Sequence, residues 1–194
     1  MNGTNMDQGL TERGAQRRSG VKPLPETVFN AICKANADDV YNLLADLHSH
    51  LDWAGARQNP TTRLLTMDAP TGVATVGMEF RTTGSDGKVA RWTDRSVITE
   101  AMAPRSFEFV TEGVRHGKPG RTPMQATTVH RYEIEPAATG CRVTYRGQIT
   151  QSKGFPAIVH APVVGRLLLG YAAKYMRKGF DSLIATAEER SAVS

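Results

Sequence analysis

Residues 124–135 alternate: Thr128, His130, Tyr132 and Ile134 fall on one side, Arg131, Glu133 and Glu135 on the other. Successive strand side chains point to opposite faces, so this pattern predicts a strand with one covered face and one wet face. The same alternation recurs in 141–151, where Val143, Tyr145, Gly147 and Ile149 oppose Arg142, Thr144, Arg146 and Gln148. In 74–83, Val76, Met78 and Phe80 oppose Gly77, Glu79 and Arg81; in 105–112, Phe107 and Phe109 oppose Glu108. Runs at 62–68 and 88–100 complete the series. The turn signals DAPTG, GSDG, MAP, HGKPGRTP and PAATG separate the runs, so the predicted arrangement is an antiparallel meander.

The period changes at both ends. Residues 26–35 read as a further strand. In 36–47, Val40, Leu43, Leu44 and Leu47 share a helical face, Asn36 can cap, and Asp38 and Asp39 sit in the first turn, where the helix dipole favours anions. HSHLDW follows without a β-branched residue and reads as a helix end or a short second helix. Residues 161–190 form one long helix. Pro162 suits its start, and Gly165, Leu169, Ala172, Met176, Phe180, Leu183 and Ala187 recur at 3–4 spacing. The fold class is α+β: a curved antiparallel sheet gripping a long C-terminal helix, with two short helices after the first strand. Residues 1–25 are polar and Gly-rich with no apolar period, which predicts a disordered tail; residues 26–190 form one domain.

Composition narrows the function. Hydrophobic residues make up 40% and charged residues 22% of 194, which suits a globular body. The net charge of +5 is spread without a basic run or nucleic-acid motif, so no nucleic-acid partner is expected. Cys33 and Cys141 are too few for a disulfide scaffold and lack metal-ligand spacing. The greasiest segment, 154–173, is broken by Pro156, His160, Pro162 and Arg166, so no stable membrane insertion is expected. Arg17–Arg18 is not followed by an apolar stretch, and the expected location is cytoplasmic.

His48, His50 and Asp52 stand at alternate positions, as metal ligands on a strand would. On a helix only His48 and Asp52 share a face, and two ligands do not make a zinc or iron site. No metal and no cofactor is expected.

Taken in order, the first strand, ADDVYNLLADLHSHLDWAG, VITEAMAPRSFEFV, YEIEPAATGCRVTYRGQI and the long last helix resemble the START-related helix-grip superfamily, also called SRPBCC or polyketide cyclase/dehydrase and lipid transport. The likeness spans roughly residues 26–190. It implies a seven-stranded sheet wrapped round the last helix, with a deep apolar cavity between them that takes a lipid, a polyketide or a similar small hydrophobic molecule. It implies a short helix at the cavity mouth, where His50 or Trp53 could gate entry, and it makes the strands of Cys33 and Cys141 neighbours, with free thiols expected. The family has no universal catalytic motif.

Within that frame the cavity candidates follow. On 88–100 long cations prefer water, which puts Trp92 and Asp94 inside and Arg91 and Arg95 outside. His130 is either a satisfied core histidine or a cavity acid/base, and Asp94 could pair with it across the cavity or through water. Trp53, Met78, Phe80, Trp92, Phe107, Phe109, Tyr132, Tyr145, Leu169 and Met176 are the expected ligand-binding walls. Tyr171 and Tyr175 could orient a ligand. The connection 111–125 is a long hairpin loop. The expected role is binding of a small hydrophobic molecule by a monomer or homodimer; the alternative is a polyketide cyclase/dehydratase-like enzyme using His130 and Asp94.

Overall fold

The structure, a computed structural model, describes residues 24–57, 63–85, 91–117, 120–155 and 162–193, with the backbone alone for residues 56, 162–169, 171 and 172. The tail to residue 23, and the side chains of Leu169 and Tyr171, lie outside the described residues.

Seven strands form one antiparallel sheet: β1 (Thr27–Cys33), β2 (Arg63–Asp68), β3 (Glu79–Ser85), β4 (Arg91–Met102), β5 (Ser106–His116), β6 (Met124–Pro136) and β7 (Cys141–Lys153). Their order is β1-β7-β6-β5-β4-β3-β2. Every neighbour after β1 is joined by a hairpin, so the meander read from the alternation is the sheet itself. Register shifts at Leu64/Thr66, Ile98/Glu100 and Thr127/Thr128 bend it, because a bulge adds a residue to one strand and increases the local twist.

Helix α1 (Ala37–Ala45) begins where the sequence signals it. The Asn36 side chain accepts from the Asp39 N–H at 2.8 Å, satisfying one orphan donor of the first turn. A 3-10 turn (Leu47–Ser49) and a π turn (Leu51–Ala56) follow. The Ser49 hydroxyl ties the first turn back to the carbonyls of Leu43 and Asp46, at 2.7 and 2.8 Å. Helix α2 (Pro162–Ser191) crosses the concave face and buries Phe180, Leu183 and Ala187.

Phe80, Ile98, Phe107, Phe109, Ile134 and Val143 are buried on the concave side, while Val28 and Ile32 of β1 and Leu65 of β2 are exposed. In β7, Cys141, Val143, Tyr145 and Gly147 are buried in turn. The convex side carries ions: Arg131 bridges Glu100, Glu108 and Glu133, and Arg146 bridges Glu133 and Glu26. These pairs are partly exposed and add little stability singly. Cys33 and Cys141 stand directly opposite each other in the β1–β7 register, both buried and free.

Three boundaries differ from the sequence reading. The strand expected at 74–83 starts only at Glu79, because Gly77 takes a positive φ of 86° and turns the chain, leaving Val76 exposed. The 111–125 connection is largely strand: β5 runs to His116 and β6 starts at Met124, so the hairpin is shorter. Leu24, expected in the tail, is buried and donates its N–H to the Ile149 carbonyl at 3.0 Å. Among the described residues, no helix is long and apolar enough to cross a membrane.

Candidate functional site

The concave face and α2 enclose two adjoining chambers. The deeper, of about 340 Å³, is lined by His50 and Trp53 from the turns after α1, by Phe80 and Thr82 of β3, Trp92, Asp94 and Ser96 of β4, Phe109 and Thr111 of β5, His130 and Tyr132 of β6, Tyr145 of β7, and Tyr175, Met176 and Phe180 of α2. The outer, of about 410 Å³, adds Gly113, Val114, Arg115, Met124, Ala126, Thr128, Ile149 and Phe155. Trp92, Asp94, Thr111, His130, Tyr175 and Met176 line both and so form the neck between them. A third cleft of about 470 Å³, between α1, Val73 and the end of α2, is edged by the exposed Asp46 and Arg190.

An aromatic floor supports the deeper chamber. Phe109 stacks on the His130 ring at 4.8 Å, and the His50 ring lies tilted to Phe109 at 6.3 Å. Tyr145 meets Tyr132 at 5.1 Å. His130 Nδ1 shares a 2.8 Å hydrogen bond with the Tyr145 hydroxyl. Part of the His130 ring fronts the chambers, but protein encloses it, and burial together with the nearby His50 pushes its pKa down to about 4. His50 donates from Nε2 to the Leu44 carbonyl at 2.8 Å, and burial likewise lowers it to about 4. Both imidazoles are therefore neutral near pH 7. Burial raises Tyr132 and Tyr145, so both stay phenols.

Asp94 is the acid of the neck. Burial raises its carboxyl to about 6 against a weak opposing hydrogen bond from the Thr82 hydroxyl at 3.4 Å. The Ser96 and Thr111 hydroxyls pair at 2.9 Å one step deeper. The Trp53 indole N–H is buried and has no hydrogen-bond partner among the described residues.

Most of the expected wall residues are therefore brought together: Trp53, Phe80, Trp92, Phe109, Tyr132, Tyr145 and Met176 line the deeper chamber. Phe107 is fully buried edge-on to Tyr41 of α1, and Met78 packs against the core beside β3; neither stands on the lining. His130 and Asp94 both reach the neck, but not each other. In register Asp94 faces Gly113 and then Ala126, whereas His130 faces Phe109. That is an offset of four residues, roughly 13 Å along the strands, in addition to two strand spacings. His130 is partnered by Tyr145 instead.

His48 and Asp52 lie exposed, Asp52 paired with Arg190 at 2.6 Å, while His50 turns inward. Among the described residues no three His, Cys, Asp or Glu side chains gather as a metal site would require. The hydroxyls of Thr82, Ser96 and Thr111 were missed as site residues. Their signal was present, since each sits two positions along the concave face from Phe80, Asp94 and Phe109.

The family described as polyketide cyclase / dehydrase and lipid transport matches residues 27–188. No curated protein matches. Solved structures share the fold at low identity. An uncharacterized protein from Rhizobium leguminosarum superposes with a TM-score of 0.63 at 13% identity, over 85% of this chain and 95% of its own. A protein from Chromobacterium violaceum gives 0.59 at 10%, over 84% and 96%. The di-domain ARO/CYC StfQ of the steffimycin biosynthetic pathway gives 0.56 at 16%, over 86% of this chain and 52% of its own.

Proposed function

Because the chain belongs to the polyketide cyclase / dehydrase and lipid transport family, we propose that it binds a small hydrophobic molecule in the paired chambers between the sheet and α2. One observation carries this reading: a mainly aromatic cavity, of about 340 Å³ in its deeper part, punctuated by a few hydroxyls, two neutral histidines and one carboxyl. Apolar walls supply affinity by removing ligand surface from water, and sparse polar groups fix orientation. A rigid floor of stacked rings keeps that surface preorganised, so little ordering cost is due on binding.

The test is binding of the neutral probe N-phenyl-1-naphthylamine, followed by its fluorescence. Wild type should bind it in the micromolar range. Thr111→Phe, which fills the neck, should lose most of that binding while keeping its far-UV spectrum. Undiminished binding by a folded Thr111→Phe would move the site elsewhere.

A second reading, cyclase-like catalysis, draws on the His130–Tyr145 pair. With the proton on Nδ1, His130 donates to Tyr145 and leaves Nε2 as a neutral base, while the phenol stays free to donate to a carbonyl. Such a site could take a proton beside a ketone whose oxygen the phenol holds. Supplied with a linear poly-β-ketone thioester, wild type would then form a cyclised product, and His130→Ala would retain binding but lose the product.

A further inference from the structure

Asp94 stands at the neck with its carboxyl half-buried, and among the described residues its one hydrogen bond is the long contact from Thr82. No described cation pairs with it. Arg115 faces Trp92 rather than Asp94 across the β4–β5 ladder. A desolvated carboxylate without a counter-charge is unfavourable, yet the surrounding backbone makes room for it. A Cβ at residue 113 would lie 2.7 Å from Asp94 Oδ1, so Gly113 lets the carboxylate lie across β5. Next to it, a Cβ at residue 84 would lie 2.1 Å from the Trp92 ring, so Gly84 lets the indole lie flat on β3. Tyr175 and Met176 of α2 line the same neck.

Carboxylate, indole, phenol and thioether converging on one opening are the partners of an organic ammonium. The anion supplies the charge, aromatic faces attract a cation through their negative quadrupole, and sulfur adds polarisable contact. A metal ion would need several further oxygen ligands, and Thr82 is the one described neighbour that hydrogen-bonds the carboxyl. A ligand carbonyl would need a donor, and near pH 7 the Asp94 carboxyl is mostly ionised and only accepts. We propose that the chambers select hydrophobic molecules carrying a protonated amine, held by Asp94 at the neck with the apolar body between Phe80, Phe109 and Tyr132. This rests on the hydrophobic-binding reading above and adds the charge of the ligand to it.

The probes are 2-(2-naphthyl)ethylamine and its neutral isostere 2-(2-naphthyl)ethanol, titrated by calorimetry against the full chain. At about pH 7.5 the amine should bind roughly tenfold tighter, the advantage of a partly desolvated ion pair over an uncharged contact. Asp94→Asn should erase that advantage, so that the amine and the alcohol bind the variant within about twofold of each other. On wild type alone, lowering the pH from about 7.5 to 5 should weaken the amine roughly fivefold and leave the alcohol unchanged, as the carboxyl becomes mostly protonated. The histidines and phenols facing the neck do not mimic this: His130 and His50 stay neutral to about pH 4, and Tyr145 and Tyr132 stay phenols. Equal binding of the two probes by wild type, or a preference that survives Asp94→Asn or acid, overturns the ammonium site and leaves hydrophobic binding standing. Failure of wild type to bind either probe overturns both readings.

Discussion

Among single residues, Asp94 has the clearest effect on stability. Its carboxyl titrates near 6 in the folded chain, against an ordinary 3.8. The folded state therefore binds more protons between those values, so it gains stability as the pH falls from about 7 towards 4 and carries the full desolvation cost above 6. Asp94→Asn removes that cost. It should raise stability by about 1–2 kcal/mol at neutral pH, allowing for the half-exposure of the group. The gain should fade at about pH 4, which urea unfolding at the two pH values will check. The residue that would hold an ammonium ligand is thus one that the empty fold would be more stable without, a common signature of a functional position.

Secondary-structure elements show the same logic in the backbone. The turn between β6 and β7 ends on Gly140 at φ 80°, and a Cβ there would lie 2.0 Å from the Cys33 carbonyl oxygen. That close approach lets the turn press against the end of β1 and hold the Cys33–Cys141 register. Gly72 also has a positive φ, 98°, but nothing lies within 4 Å of its Cβ position. Gly72→Ala should cost only the left-handed penalty, about 1 kcal/mol. Gly140→Ala adds a backbone clash and should cost several kcal/mol, or roughly three times as much. Equal denaturation midpoints for the two variants would dismiss the turn's role as a buttress. Similar local chemistry explains which elements could be read in advance. The β6 and β7 alternation and the Asn36 cap are properties of neighbouring residues, so they were visible in the chain. The break at Gly77 was not, because Val76, Met78 and Phe80 keep strand spacing through it, and only the positive φ turns Val76 out to solvent.

Across the domain as a whole, acid is expected to act through the aromatic floor. His50 and His130 titrate near 4 when folded, against an ordinary 6.5. The unfolded chain takes up protons first, so stability is lost as the pH falls from 6.5 to about 4, at up to about 3 kcal/mol per histidine. Asp94 moves the other way over much of that window and offsets about half of one histidine. The double variant His50→Gln/His130→Gln should therefore reverse the trend and become more stable with mild acid. A wild-type chain whose chemical stability is flat from pH 6.5 to 4 would contradict the burial of these rings.

What the sequence determined by itself was whatever depends on residues close along the chain: the alternating faces, the capped first helix, the apolar stripe of α2, and hence an α+β sheet gripping a helix. It also supplied the membership of the concave face, because period 2 sorts Trp92 and Asp94 from Arg91 and Arg95 without knowledge of their neighbours. Partnership was decided only by the tertiary structure. Register across three strands separates Asp94 from His130 and gives His130 to Tyr145. Packing sends Phe107 behind the wall and brings His50 into it. Such outcomes depend on strand offsets and ring volumes set by contacts between residues distant in the chain, and no local periodicity records them.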